Sequence, residues 1–200
     1  MKHTSVARAA ALCAAALSLT LAACSADPLA AQFREGSGKQ YIAGDGTITE
    51  YAASDRGAAI TFSGTTTEGG SYSSRDAAGQ VQVVNFWYAG CAPCRAEAPL
   101  LQKVANATTA SGVRFIGVNV RDQSATVAAF EKTYGVTYPS IIDIDTGAVQ
   151  LAFAGKVPPA AVPTTIVLDR TGRIAARILG RVAAESILQA IINRVVSEPA

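Results

Sequence analysis

Beyond residue 80, apolar runs of strand length alternate with segments whose apolar residues recur at helical spacing. This pattern predicts strands at residues 81–87, 113–120, 140–143, 165–168 and 173–179. It predicts helices at residues 92–110, 126–134 and 184–196, with a further helical turn at 149–153. The last two strands flank Asp169-Arg170-Thr171-Gly172, a sequence typical of a hairpin turn. Strands that alternate with helices and end in a hairpin and a helix indicate an α/β sandwich.

The pattern before residue 80 is weaker. Two alternating strands are predicted at residues 47–51 and 59–63, and residues 65–79 read as a loop or a weak hairpin. Residues 26–41 are small, polar and poorly patterned, and they contain the flexible sequence Gly36-Ser37-Gly38. This composition is typical of a tether that precedes a folded domain.

The first residues have the composition of an export signal. Lys2, His3 and Arg8 form a basic head, and an apolar run from residue 9 to residue 23 follows it. That run is shorter than the roughly 20 residues of a spanning helix and is typical of a signal peptide. Cys13 lies inside this segment and would leave with it.

The apolar run ends in Leu21-Ala22-Ala23-Cys24, where small residues before a cysteine resemble a bacterial lipobox. We therefore predict that residues 1–23 are removed and that Cys24 is lipidated. Residues 24–44 would form the lipid anchor and tether, and residues 45–200 the folded domain. The alternative is an ordinary cleaved signal with an incidental cysteine, which would leave a reactive thiol in an exported protein. The prediction places the protein on the extracytoplasmic face of the cell membrane.

The charge of the mature chain is near neutral. Removal of Lys2 and Arg8 leaves 15 of the 17 lysines and arginines, which matches the 15 acidic residues. A neutral chain gives no reason to expect nucleic acid or a polybasic membrane contact. Membrane attachment would therefore come from the lipid, and the remaining length suits one domain.

The motif that carries chemistry is Cys91-Ala92-Pro93-Cys94, which follows a buried-looking strand and begins a predicted helix. A helix N-terminus favours a thiolate and lowers a cysteine pKa to roughly 3.5–7.5. We expect Cys91 to be the exposed nucleophile. Cys94, one helical turn further on, would be the buried resolving thiol and close a disulfide with Cys91.

Other uses of two spaced cysteines fit less well. A structural zinc site needs four ligands, but there is no second pair of this kind and the only histidine is His3. An inert disulfide across two residues would constrain little of the unfolded chain. We therefore predict redox chemistry with no metal and no cofactor. Because exported cysteines meet an oxidising environment, a reduced pair would need an outside electron supply.

From about residue 59 to 196 the chain resembles the TlpA/ResA-type thiol-disulfide oxidoreductases, a membrane-tethered branch of the thioredoxin superfamily. The resemblance rests on Asn85-Phe86-Trp87, Cys91-Ala92-Pro93-Cys94-Arg95, Glu97, Pro99 and Val162-Pro163-Thr164. It implies a thioredoxin-like three-layer sandwich, with a central mixed β-sheet flanked by helices and with extra N-terminal strands.

The resemblance also implies roles for single residues. Glu97 would exchange a proton with Cys94, whereas the alternative is a solvated glutamate in the first helical turn. Pro163 would be cis and face the cysteines, leaving its neighbour's backbone free to pair with a substrate, and its alternative is an ordinary trans proline. We therefore assign Val162, Pro163 and Trp87 to substrate binding, although Trp87 also suits packing at a strand end. Pro99 would kink the first helix rather than end it.

One position departs from the family. The residue before the first cysteine is usually aromatic, most often tryptophan, and here it is Gly90, with Tyr88 two positions earlier. A glycine would open the surface around Cys91 and relax the loop. Partner selectivity and redox potential are therefore the family properties that transfer least.

Two classes of function follow. The favoured one is an enzyme that reduces disulfides of exported proteins, with electrons from a membrane thiol carrier. Among relatives a common target is apocytochrome c, which suggests a role in cytochrome c maturation. The same fold also serves thiol oxidants and peroxidases, but the sequence has no separate Thr-x-x-Cys site of the kind that a related peroxidase uses. The second class is a non-catalytic lipoprotein that uses the fold only for binding.

Overall fold

The computed structural model describes residues 47–156 and 161–199. The predicted signal peptide, the lipidation site at Cys24 and the tether lie outside the described residues. Within the described ranges, none of the helices has both the length and the apolar character needed to span a bilayer.

The core of the fold is a six-stranded mixed sheet with the strand order β1-β8-β7-β4-β5-β6. Strands β4, β5 and β6 run parallel, while β7, β8 and β1 each pair antiparallel with their neighbour. A separate two-stranded sheet joins β2 and β3. The strands are β1 Thr47–Glu50, β2 Ser63–Thr65, β3 Ser71–Ser73, β4 Gln82–Trp87, β5 Arg114–Asn119, β6 Ser140–Ile142, β7 Thr164–Leu168 and β8 Ile174–Leu179.

Four α-helices and three short 3-10 turns complete the described fold. The helices are α1 Ala92–Thr108, α2 Ser124–Tyr134, α3 Ala148–Ala152 and α4 Glu185–Ser197. The 3-10 turns are Ala53–Asp55, Ser74–Ala77 and Thr109–Ser111. These bounds agree with the sequence pattern to within a few residues, and the predicted α/β sandwich is confirmed.

The alternation along β4 shows how the three layers form. All six residues of β4 are buried. Phe86 packs edge-on against Phe153 at the end of α3, whereas Trp87 packs against Phe130 of α2. Successive side chains of a strand point to opposite faces, so α2 and the region of α3 lie on opposite sides of the sheet. Helix α1 contacts both α2 and α4 and therefore shares their side.

The first half of the chain differs from the pattern in one place. Residues 59–62, predicted as a strand, do not pair in a ladder, and strand β2 begins only at residue 63. Phe62 is instead buried against Phe153, and its backbone N–H donates to the Ser74 hydroxyl. Burial of Phe62 produces the apolar alternation without strand pairing. The weak hairpin expected in residues 65–79 is confirmed by β2 and β3.

A buried ion-pair network joins three distant segments. The Arg56 guanidinium lies 3.0 Å from the Asp169 carboxylate and also pairs with Glu198. Asp169 opens the β7–β8 turn, where its Oδ1 accepts from the backbone N–H of Thr171 and of Arg173. The network fixes the segment before β2 and the end of α4 to the hairpin turn.

Candidate active site

Cys91 and Cys94 form a disulfide at the start of α1, directly after the central strand β4. Cys91 is the N-cap residue, and its Sγ accepts a hydrogen bond from the Cys94 backbone N–H at 3.2 Å. That N–H belongs to the first turn of the helix, where backbone donors have no partner within the helix. The helix therefore directs a donor at the sulfur that we predict to be the nucleophile.

Both sulfurs are enclosed in this disulfide form. Cys91 has 0% and Cys94 2% of its surface exposed. The prediction that Cys91 is exposed is wrong for this state, whereas the predicted burial of Cys94 is confirmed. The prediction relied on the backbone position at the helix tip, but the bond to Cys94 and the N-cap contact turn the side chain inward.

Glu97 lies one turn after Cys94 on α1 and is 1% exposed. Its Oε1 accepts from the Asn85 side-chain amide at 2.9 Å, and its Oε2 accepts from the Val182 backbone N–H at 2.8 Å. The alternative of a solvated glutamate is therefore wrong. Burial raises the pKa of Glu97 to about 7, although the two hydrogen bonds and the charge of Arg181 act in the opposite direction.

A carboxyl group with this pKa can exchange a proton near neutral pH. Residues three apart on a helix lie on the same face, so Glu97 and Cys94 are neighbours along α1. A buried acid whose pKa lies near the operating pH is suited to general acid–base chemistry.

Asn85 belongs to the site, although the sequence pattern predicts no separate role for it. Its Nδ2 donates to Glu97 and also to the Thr165 hydroxyl at 3.1 Å. It thereby connects the central strand β4 with α1 and β7. The sequence contained a usable indication, because a buried polar side chain inside an otherwise apolar strand needs hydrogen-bond partners.

A small space, here called the inner cavity, lies beside the resolving cysteine. Its volume is about 10 Å³, close to the space that one water molecule needs. Cys94 and Asn85 contribute to its wall, so the space adjoins both the disulfide and the group that holds Glu97. The inner cavity is lined by Asn85, Trp87, Cys94, Ala98, Phe130, Val136 and Tyr138.

The Val162–Pro163 peptide bond is cis, as the family resemblance implied. Val162 is 3% exposed and belongs to the same buried apolar cluster as the two cysteines. The Pro163 carbonyl accepts from the Gly180 backbone N–H at 2.8 Å. Val182 follows two residues later and donates to Glu97. Residues 180–182 therefore connect the proline loop with Glu97.

The aromatic residues at the end of β4 have separate surroundings. Trp87 is 4% exposed, and its ring centroid lies 4.1 Å from that of Phe130, which favours the packing alternative over substrate contact. The Arg121 guanidinium lies 4.3 Å from the centroid of the Tyr88 ring. A Cβ at Gly90 would lie 3.2 Å from the Tyr88 ring, so the missing side chain lets Tyr88 lie close to the cysteine loop.

Two further residues of the motif lie on α1. Helix α1 continues through Pro99 to Thr108, so the alternative that it ends at the proline is wrong. Arg95 is exposed in the first turn. No group of three or more metal-ligating side chains occurs among residues 47–156 and 161–199.

The fold and this site define a thiol-disulfide oxidoreductase of the thioredoxin superfamily. The chain belongs to the Redoxin family, whose model matches residues 52–192.

Curated relatives agree with this assignment. The chain is 31% identical over 122 residues to the thiol-disulfide oxidoreductase ResA of Geobacillus thermodenitrificans, an alignment covering 61% of this chain and 67% of that protein. It is 30% identical over 118 residues to ResA of Bacillus subtilis, covering 59% and 63% of the two chains. The alignments thus span about two thirds of the relatives' length, and the resemblance to the TlpA/ResA group is confirmed.

Solved structures show the same fold. A DsbF homologue from Corynebacterium diphtheriae superposes with a TM-score of 0.66 and 35% identity, over 74% of this chain and 92% of that one. A secreted thiol-disulfide isomerase from Corynebacterium glutamicum superposes with a TM-score of 0.67 and 31% identity, over 76% and 92%. The predicted thioredoxin-like sandwich is therefore confirmed.

Proposed function

We propose that this chain is a disulfide reductase that works outside the cell membrane, to which a lipid on Cys24 attaches it. Its substrates are disulfides of exported proteins, with apocytochrome c as the first candidate, and its electrons come from a membrane thiol carrier. The description of one structural neighbour as secreted and the ResA relatives support this assignment. The observation that carries the redox direction is the buried carboxyl group of Glu97 beneath the cysteine pair.

The proposed redox direction depends on how strongly the site stabilises a thiolate. An oxidant of this superfamily is strong when its reduced form is stabilised. The helix dipole favours a thiolate at Cys91 by about 0.3–1 kcal/mol, rising to ~2 kcal/mol in buried geometry. Glu97 lies one helical turn after Cys94, and in its ionised form it opposes a thiolate in the cysteine pair. This carboxylate acts against the helix N-terminus, so in this proposal the reduced pair has no special stabilisation.

The equilibrium reduction potential of the Cys91–Cys94 pair tests this direction. The protein is equilibrated in defined thiol–disulfide buffers, and the reduced fraction is read from alkylation and mass. A reductant has a potential near that of thioredoxin, about −270 mV, and a strong oxidant one near −120 mV. We expect a value on the thioredoxin side, and a value near −120 mV would contradict the proposal.

A second candidate, an exported oxidant or isomerase, has its own support. The Cys94 N–H that donates to the Cys91 sulfur favours a thiolate, and the two structural neighbours described above are a DsbF homologue and an isomerase. Two assays together distinguish the candidates: reduction of insulin and refolding of scrambled ribonuclease. A reductase reduces insulin but restores little ribonuclease activity, whereas an isomerase restores that activity.

A further inference from the structure

Exchange at this site needs a proton at a place that solvent does not reach. When a partner thiolate attacks the Cys91 sulfur, a new disulfide forms to the partner, the Cys91–Cys94 bond breaks, and Cys94 leaves as a thiolate that takes up a proton. In the reverse direction Cys94 gives up that proton as it attacks. Cys94 is 2% and Glu97 1% exposed, so the proton needs a path through polar groups or water.

An open groove, here called the rear groove, lies on the side of the site next to α2. Its volume is about 420 Å³, and it is lined by the β2–β3 turn, by Glu131 of α2 and by the segment before β6. Thr67 donates its hydroxyl to Glu131 at 3.3 Å. Burial, with the nearby charge of Glu68, raises the pKa of Glu131 against the effect of its hydrogen bonds. The groove thus presents a carboxyl group that holds a proton more readily than a free glutamate.

The rear groove and the inner cavity share a wall. Val136 and Tyr138 line both spaces, and the inner cavity is lined by Cys94 and Asn85 on its other side. Valine has no proton to exchange, whereas a phenol both donates and accepts a hydrogen bond. Tyr138 is therefore the polar side chain that separates the groove from the resolving cysteine.

The surroundings of Tyr138 keep its hydroxyl protonated. Burial raises the pKa of Tyr138, and the charges of Glu97 and of Glu131 raise it further. The pKa of the phenol thus depends on the charge of Glu97, on the inner side, and on that of Glu131, in the rear groove. Its ring is fixed against Phe115, with centroids 5.7 Å apart, and the preceding residue, Thr137, is held by two hydrogen bonds to Gln102 of α1.

We propose that Tyr138 relays protons between the rear groove and the inner cavity, where one water molecule completes the path to Cys94. The path begins at Glu131, and Asn85 connects the cavity with Glu97. This inference rests on the proposed exchange at the Cys91–Cys94 pair. Electrons pass only between sulfurs, since two leave the partner dithiol and reduce the disulfide, while the rear path carries the single proton that Cys94 takes up or releases.

The test uses Tyr138→Phe in the full chain, because phenylalanine keeps the ring and removes the hydroxyl. Trp87 is the only tryptophan of the chain and lines the inner cavity with Cys94, so its fluorescence follows the redox state in stopped flow. Attack of reduced Cys91 on an oxidised partner and the later resolution of the mixed disulfide by Cys94 are timed separately. We expect Tyr138→Phe to slow the resolution step about tenfold, the lower end of a general acid–base contribution, and to leave folding stability within the range of wild type.

Tyr134→Phe is the matched control. Tyr134 also packs on a ring of the site, 4.5 Å from Phe130, but it lines neither the inner cavity nor the rear groove. Its variant should resolve mixed disulfides at the wild-type rate. Val136→Ile is a second test, since the added methyl group fills the inner cavity and keeps Tyr138. It should also slow resolution.

The outcomes separate this inference from the proposed function. Wild-type resolution rates in both Tyr138→Phe and Val136→Ile would overturn the relay, as would equal slowing of both steps with lost stability, which indicates a structural role. If wild type itself fails to exchange disulfides with any dithiol partner, the proposed function fails first. The relay is supported if Tyr138→Phe slows only the resolution step in H₂O and if resolution by wild type is slower in D₂O than in H₂O.

Discussion

Glu97 is held by donors from two different parts of the chain, Asn85 in β4 and Val182 after β8. A buried acceptor that keeps two hydrogen bonds avoids the cost of an unsatisfied group, about 1–3 kcal/mol for each lost partner. The same burial penalises the charged form. At the scale of single residues, the site therefore keeps a carboxyl group in place while leaving its proton easy to remove near neutral pH.

The raised pKa of Glu97 makes folding stability depend on pH. Its pKa rises from 4.5 to about 7 on folding, so the folded state binds the proton more tightly. The contribution is fully present below pH 4.5 and is lost as pH rises through 7, a change of about 3 kcal/mol. Glu97→Gln should remove this slope from the free energy of unfolding, measured by urea denaturation between pH 4 and 8.

Glu185→Gln provides the comparison for that series. Glu185 is an exposed partner of Lys103 at 3.0 Å, and its variant should keep the wild-type slope. If Glu97→Gln and wild type lose the same stability over this range, the pKa of Glu97 is not raised. The same variant should also slow exchange, since a glutamine carries no titratable proton.

The order of the two thiols is a second prediction at this scale. Cys94→Ala should accumulate mixed disulfides through Cys91, whereas Cys91→Ala should accumulate few. Cys91 caps the helix and its sulfur accepts the Cys94 N–H, which favours its thiolate, while Cys94 lies one turn inside the helix. Trapping with a peptide that carries a haem-binding CxxCH sequence, followed by mass spectrometry, measures both. Faster capture by Cys91→Ala would reverse the assignment and leave Cys94 as the nucleophile.

At the scale of elements, the turn between β7 and β8 also binds a segment outside its own hairpin. Asp169 is 4% exposed and is held by the guanidinium groups of Arg56 and Arg173 together with backbone donors of the turn. Removing one partner of a buried pair typically costs 3–5 kcal/mol, since the other charge stays buried. The turn thus holds the segment before β2 against the main sheet.

Asp169→Asn tests the contribution of this turn. Burial alone would raise the pKa of Asp169, but hydrogen bonds from Thr171, Arg173 and Arg56 lower it from 3.8 to about 2. This stability is present above pH 3.8 and lost as pH falls towards 2, an amount of about 2 kcal/mol. We expect Asp169→Asn to lower the free energy of unfolding by about 3 kcal/mol at pH 7 and to flatten the acid limb. Asp145→Asn, at an exposed position, is the control. The prediction is contradicted if Asp169→Asn loses as much stability as wild type when the pH falls from 4 to 2.

The helices and strands of the second half of the chain can be predicted from the sequence because their signals are local. Strand β4 and helix α1 are long, strongly periodic and separated by a few residues, so periodicity and helix-start residues suffice to locate them. Phe62 shows the limit, since its burial depends on Phe153, far along the chain. Burial of Cys91 and the bonds of Asn85 likewise depend on contacts that no local pattern contains.

At the scale of the whole molecule, the described domain is closed by long-range pairs. Strand β1 lies at the edge of the sheet beside β8, and Arg56 connects residues 169 and 198. The cysteine pair, Glu97 and the cis-proline loop all belong to this one body. The contacts that hold the active site described above all lie within residues 47–156 and 161–199.

That separation gives the prediction for Cys24. Cys24→Ser should abolish incorporation of labelled palmitate and release the protein from membranes, because the lipid is the anchor that the sequence predicts for the mature chain. Cys13→Ser changes a cysteine of the segment predicted to be removed and should leave labelling intact. The released Cys24→Ser protein should reduce insulin at the wild-type rate, since Cys91, Cys94 and Glu97 are untouched. Sedimentation of Cys24→Ser with membranes after a high-salt wash would show that another segment anchors the chain.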